Sequence, residues 1–279
     1  MPSESDILSA LTAYREHIST VNYRAMKAII PQIEAADMED LDLWSYPEEE
    51  EESRLEFVYG LFGLAGASDT NPPIKRASDI LEHWDVLAPQ LALDGAALHF
   101  DPAWRATQRK AYLAAVMEGL GRIECPTGKW ELPQDWLFLI EHVDSLEGPG
   151  WYRLRDHCEM LIFWQGWGAF GSYIRAEGWM RRCVTGEKIL ELTAYEFEDK
   201  YEIAGGLESG QGNASVCYIM YSRLKEGENR DWSWRYVTTR GQFGVDVFEN
   251  VVELLDWYKN RSQPRESDCY ITAEEVFQA

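Results

Sequence analysis

The sequence predicts an α+β fold: a helical N-terminal section followed by a mainly antiparallel sheet with flanking helices. Three observations predict it. Near the start Ile7, Leu11, Tyr14, Ile18 and Val21 recur every three or four residues, the stripe of a one-sided helix. The runs 215–223 and 231–239 alternate aromatic and β-branched residues around the polar stretch 225–230, which is the pattern of a hairpin. Then Phe248, Val251, Val252, Leu255 and Tyr258 line one side of a closing helix.

Taken in order, the first helix begins after the capping pair Ser3 and Asp6 and is expected to stop at Pro31. Residues 34–56 hold eleven acids and one base, with Glu48 to Glu52 adjacent after Pro47. Mutual repulsion predicts a solvated acidic loop there, in which Glu49, Glu50 and Glu51 are candidates for docking a basic partner. Leu55 to Leu64 is apolar, but Gly60 and Gly63 weaken a helical reading. After the break at Asn71-Pro-Pro73, a helix is expected from Ala77 to Leu87, ending near Pro89. Asp101-Pro102 caps another that reaches Leu120, with Gly121 as its stop.

In the second half Leu132-Pro133-Gln134-Asp135-Trp136 opens a short helix whose Trp136, Leu139, Ile140 and Val143 face the sheet. Strands are expected near 187–197, 214–224 and 231–240. The last two should be adjacent, antiparallel and buried on both faces. Between them and Ile203, the glycine-rich stretch 205–212 reads as a mobile connection. Asp246 with Glu249 forms a capping box for the closing helix. The organisation is thus a helical section over 1–104, an α+β domain over 105–263 and a polar tail over 264–279.

The order of elements and its residues resembles the SUKH superfamily, which includes bacterial immunity proteins and fungal cell-wall-assembly regulators. Leu132-Pro133 and Trp136, the turn Gly148-Pro149-Gly150, a strand from Ile189 to Phe197 and the helix from Asp246 to Tyr258 carry the resemblance, which covers about half the chain. One departure is a longer turn: Asp144-Ser145-Leu146-Glu147-Gly148 stands where the family has Asn-Gly. The resemblance implies a SUKH-like sheet and a non-enzymatic binding or regulatory role.

Charge and chemistry bound the function from another side. With 48 acids against 26 bases the formal charge is −22, so nucleic-acid phosphates would be repelled, and the expected partner is a protein with a basic surface. The acidic N-terminus lacks a signal peptide's basic start, and no apolar run has the length of a membrane span, so an intracellular protein without membrane contact is expected. Five well-separated cysteines form no zinc-type pair, the five histidines show no metal-ligand spacing, and Asp156-His157-Cys158 lacks the geometry a nucleophile needs. No cofactor, metal or catalytic residue is assigned. Of twelve tryptophans, four crowd with glycines between 150 and 180, and Trp164, Trp167, Phe170, Tyr173 and Trp179 are the candidates for a recognition surface. The competing reading is an enzyme or small-molecule binder whose Trp/Tyr-lined pocket takes an aromatic or apolar ligand.

Overall fold

A computed structural model describes residues 2–37, 47–62, 64, 70–98, 101–146, 161–162, 180–192, 199–209, 217–227, 230–239, 245–260 and 269–277. Helix α1, Glu4–Ala35, begins as expected, with the Ser3 hydroxyl accepting the Asp6 N–H at 3.2 Å and the Asp6 carboxylate accepting the Ser3 N–H at 2.8 Å. It does not stop at Pro31, which lies inside it. Proline disrupts a helix by about 3 kcal/mol where a full ladder must continue, but here only one more turn follows, and that turn buries Ile33 completely. At 1.5 Å per residue α1 is roughly 48 Å long. It serves two hydrophobic cores: Ile7, Leu11, Tyr14 and Ile18 belong to an upper one, Met26, Ile29, Ile30 and Ile33 to a lower one.

Around the lower core lie α2 (Pro47–Phe62), α3 (Ala77–Glu82) and α4 (Trp84–Gln90). Of the acidic stretch expected as a loop, residues 47–56 are therefore the start of α2, residues 34–35 end α1, and residues 38–46 lie outside the described set. Pro47 presets the first turn, carboxylates are favoured near the positive end of the helix dipole, and Arg54 reaches back to Glu50 and Glu51. Burial of Val58, Leu61 and Phe62 on the opposite side completes the reason, while Gly60 sits harmlessly on the exposed face. The single helix expected over 77–87 is divided at His83, and Pro89 falls within α4. After α4 the chain crosses α1 at Gly95, whose φ is +79°. A Cβ there would lie 2.8 Å from Ile18 and 2.9 Å from the Tyr14 hydroxyl, so glycine is required on both counts.

Strand β1 (Ala96–Ala97) leads to α5 (Pro102–Leu120), which is capped by Asp101 as predicted, and then α6 (Gln134–His142) buries Trp136, Leu139 and Ile140. Strands β2 (Ser145–Leu146) and β3 (Leu161–Ile162) join β1 in a small antiparallel sheet. The main sheet is an antiparallel meander of β4 (Cys183–Thr185), β5 (Tyr201–Glu208), β6 (Cys217–Leu224), β7 (Ser233–Thr239) and β8 (Val245–Phe248), with helix α7 (Gly186–Leu192) between β4 and β5. The expected hairpin is β6–β7, in which Tyr218 faces Val237 and Ile219 faces Tyr236. Cys217, Ile219 and Tyr236 fall in the upper core. Tyr218, Met220 and Val237 pack on the other face with Ile189 and Tyr201, so both faces are buried as the alternation implied.

Four further expectations differ from the structure. The strand placed at 187–197 is helix α7 as far as Leu192: Glu187, Lys188, Leu190 and Glu191 favour helix, and Lys188 pairs with Glu191 at 2.8 Å. Residues 193–198 lie outside the described set. The glycine-rich connection begins inside β5, where Gly206 pairs with Met220. A Cβ on Gly206 would strike the Ile219 carbonyl, so its absence lets the two strands approach. The closing helix α8 (Val251–Asn260) starts five residues later than Asp246, which lies in β8. Asn250, not Asp246, caps it, accepting the Glu253 N–H at 3.1 Å. Finally, within the stretch expected as a polar tail, residues 269–277 are seated against α1 and α2, with Ala273–Phe277 forming helix α9.

Candidate protein-docking surface

The aromatic candidates Trp164, Trp167, Phe170, Tyr173 and Trp179, the turn at 148–150 and the Glu49 side chain lie outside the described residues. The other two acidic candidates are brought together, though not as free charges. Glu50 and Glu51 stand 3.3 and 3.4 Å from Arg54, which also donates to the Ala36 carbonyl at 2.8 Å. Their role is to hold Arg54 and join α2 to the end of α1. Among the described side chains of α2, the exposed carboxylates are Glu52 and Glu56, one turn apart.

Between α1 and the α3–α4 corner an open cleft of about 530 Å³ is lined by Ser19, Tyr23, Glu82, His83, Trp84 and Asp85. The Tyr23 and Trp84 rings meet edge to face at 5.1 Å, and the Trp84 indole N–H donates to the Ser19 hydroxyl at 3.0 Å, which fixes the larger ring. Glu82 and Asp85 are exposed beside it, Glu82 with the equally exposed Arg76 guanidinium 3.8 Å away, and the adjacent Val86 is half exposed. Behind the rim, partial burial works to raise the Asp79 carboxyl. The N–H groups of Lys75 and Arg76, at 2.7 and 2.9 Å, and the Arg76 and His83 charges outweigh it and hold the carboxyl below its ordinary value. An aromatic floor with carboxylates at the rim attracts a cation on two grounds, through the ring faces and through charge.

A second cleft of about 450 Å³ lies where α1, α5 and α6 meet, with Glu4, Arg109, Gln134 and Glu141 around an apolar floor that includes Phe138. Below it is a group that sequence reasoning missed. Asp135, buried in the first turn of α6, accepts the Tyr236 hydroxyl at 2.9 Å, the Val251 N–H at 3.0 Å and the Trp136 N–H at 2.9 Å. Burial, and then the neighbouring carboxylate, push the Tyr236 phenol well above its ordinary value. Asp135 thereby ties α6, β7 and the start of α8 together, and its oxygens are engaged in structure. A signal was available in its place among Pro133, Trp136 and the buried helical face, where a carboxylate needs partners.

Compared with family models, curated proteins and solved structures, the chain matches none. What it can do therefore rests on its own groups. Among the described residues no three His, Cys, Asp or Glu side chains gather as a metal site would require. Burial pushes the Cys183 thiol up to about 11, which makes it a poor nucleophile at neutral pH. No described helix is long and apolar enough to cross a membrane. A half-buried aromatic group, Tyr221 with Trp232 and Trp234 next to buried Trp130, covers one side of the hairpin. The Trp234 indole N–H is committed to the Glu131 carbonyl at 2.6 Å, so these rings serve packing.

Proposed function

We propose that the chain is a non-enzymatic protein-binding or regulatory module that docks a basic partner on the outer side of its N-terminal helices. The observation that carries this reading is the Tyr23–Trp84 cleft with Glu82 and Asp85 at its rim, which suits an arginine or lysine side chain. Glu52 and Glu56 on α2 and the net charge of −22 add a field that would steer such a partner at encounter. The resemblance to the SUKH superfamily, of whose carriers Leu132-Pro133 and Trp136 open helix α6 as expected, supports a binding role on separate grounds.

Charge reversal at Glu82→Lys with Asp85→Lys tests the reading. Proteins captured from native lysate by the wild-type chain and identified by mass spectrometry should be rich in basic surfaces and should be lost from the folded variant, and their association rates should fall with added salt. Identical capture by both chains, with rates unchanged across a salt series, refutes it. A second reading, a pocket for a small aromatic or apolar ligand, has in its favour the cleft's volume, which lies in the range of small-molecule sites. Tyr23→Ala separates the two: it would abolish a small ligand's binding, whereas it would weaken a protein complex that Glu82 and Asp85 still steer.

A further inference from the structure

The segment Cys269–Phe277 lies in a groove of the helical unit with the anatomy of a bound peptide. Gln32 of α1 meets its backbone in both directions: the side-chain amide N–H donates to the Cys269 carbonyl at 2.8 Å, and the amide oxygen accepts the Ile271 N–H at 3.1 Å. A primary amide used this way reads extended main chain whatever side chain stands between the two contacts, and the residue between them, Tyr270, is 69% exposed. Ile271 enters the lower core with 6% exposure. Thr272 and Glu275 then form a reciprocal cap, the Thr272 N–H donating to the Glu275 carboxylate at 2.9 Å and the Glu275 N–H to the Thr272 hydroxyl at 3.3 Å. That cap starts the turn that delivers Val276, at 3% exposure, to the lower core and sets the Phe277 ring 5.7 Å from the Arg54 guanidinium of α2.

We propose that this groove of α1 and α2 is a peptide-recognition site, occupied in cis by residues 269–277, whose partner is a protein segment of the same chemistry. That chemistry is an aliphatic residue, a threonine or serine, a small residue packed on the lower core, one unrestricted residue, a glutamate and an aliphatic–aromatic pair, as in Ile271-Thr272-Ala273-Glu274-Glu275-Val276-Phe277. The cis segment is then a tethered competitor at an effective concentration on the order of millimolar. The site does not depend on the acidic cleft and stands or falls apart from it.

The test uses the full chain and a fluorescently labelled, end-capped peptide of residues 269–277 carrying Cys269→Ser. In the Ile271→Asp, Val276→Asp chain the buried aspartates expel the cis segment, and the peptide should bind at least about tenfold more tightly than to wild type. Adding Gln32→Ala to that chain should weaken binding by about tenfold, through loss of two backbone hydrogen bonds. A folded double variant that binds the peptide no better than a scrambled one overturns the proposal. Should that variant unfold, wild type labelled with fluorine on Phe277 decides: excess peptide must shift the resonance to its released position, and an unmoved resonance at millimolar peptide overturns the proposal. A concentration-dependent wild-type dimer abolished by Ile271→Asp, Val276→Asp would assign the groove to a second copy and likewise overturn it.

Discussion

Two buried tyrosines on neighbouring strands illustrate how much depends on a single partner. The Tyr236 hydroxyl donates to Asp135, whereas the Tyr218 hydroxyl is buried without a hydrogen-bond partner among the described residues. Tyr236→Phe should destabilise the protein by about 1–2 kcal/mol, and Tyr218→Phe should leave it unchanged or raise its stability by up to about 1 kcal/mol, because an unsatisfied buried hydroxyl is relieved. Asp135→Ala should cost about 3–5 kcal/mol, since three donors lose a buried acceptor. Urea denaturation at neutral pH measures all three. The same phenols set an alkaline limit. Burial pushes Tyr112, Tyr218 and Tyr236 up, so each keeps its proton in the folded state above pH 10, where the unfolded chain has lost it. Their contribution is fully present below pH 10 and is lost as the pH rises beyond it. In a spectrophotometric titration these three tyrosines should ionise only together with unfolding.

Among elements, α1 offers the cleanest test of a local signal. Ser3→Ala removes the hydroxyl that caps Asp6 and should lower stability by about 1 kcal/mol, measured as a shift in denaturation midpoint. The cap is also pH-dependent. Hydrogen bonds from the Ser3 side chain and backbone hold the Asp6 carboxyl below its ordinary 3.8, so its contribution is present above that value and is lost as the pH falls through the folded-state value. Caps and periodicity are where the sequence was legible: Ser3, Asp101, the face of α6 and the β6–β7 hairpin each combine a boundary residue with a repeat. Where it was not, a tertiary partner outside the local window decides. Pro31 is carried by the burial of Ile33, the glutamates of α2 by Arg54 and the apolar face behind them, Gly206 by the close approach of β6, and residues 269–277 by Gln32. The acids of the proposed cleft were not singled out in the sequence: Glu82 and Asp85 stand beside an aromatic pair only because Trp84 and Tyr23 meet across two helices.

For the molecule as a whole, the shared helix α1 makes the two cores interdependent. Its middle is fastened where they meet: Asn22 donates to the Leu93 carbonyl at 2.7 Å, Arg15 pairs with buried Asp94, and Tyr14 stacks on Tyr258 of α8 at 5.8 Å. Ile29→Ala in the lower core and Leu139→Ala in the upper core should each cost about 2–5 kcal/mol. Because α1 cannot lose one core and keep its whole length ordered, far-ultraviolet circular dichroism and tryptophan fluorescence should report one coincident transition in both variants. Two separated transitions would mean that the cores unfold independently.

Gln32 and Ile271 are 239 positions apart in the chain. During translation α1 therefore leaves the ribosome with its lower apolar side lacking Ile271 and Val276 until all the intervening polypeptide has been made. Contacts of such separation also close slowly in the finished chain. The long helix that looks most autonomous in the sequence is thus the one held longest in an unfinished state, and nascent chains stalled before residue 269 should present it to chaperones that released chains escape.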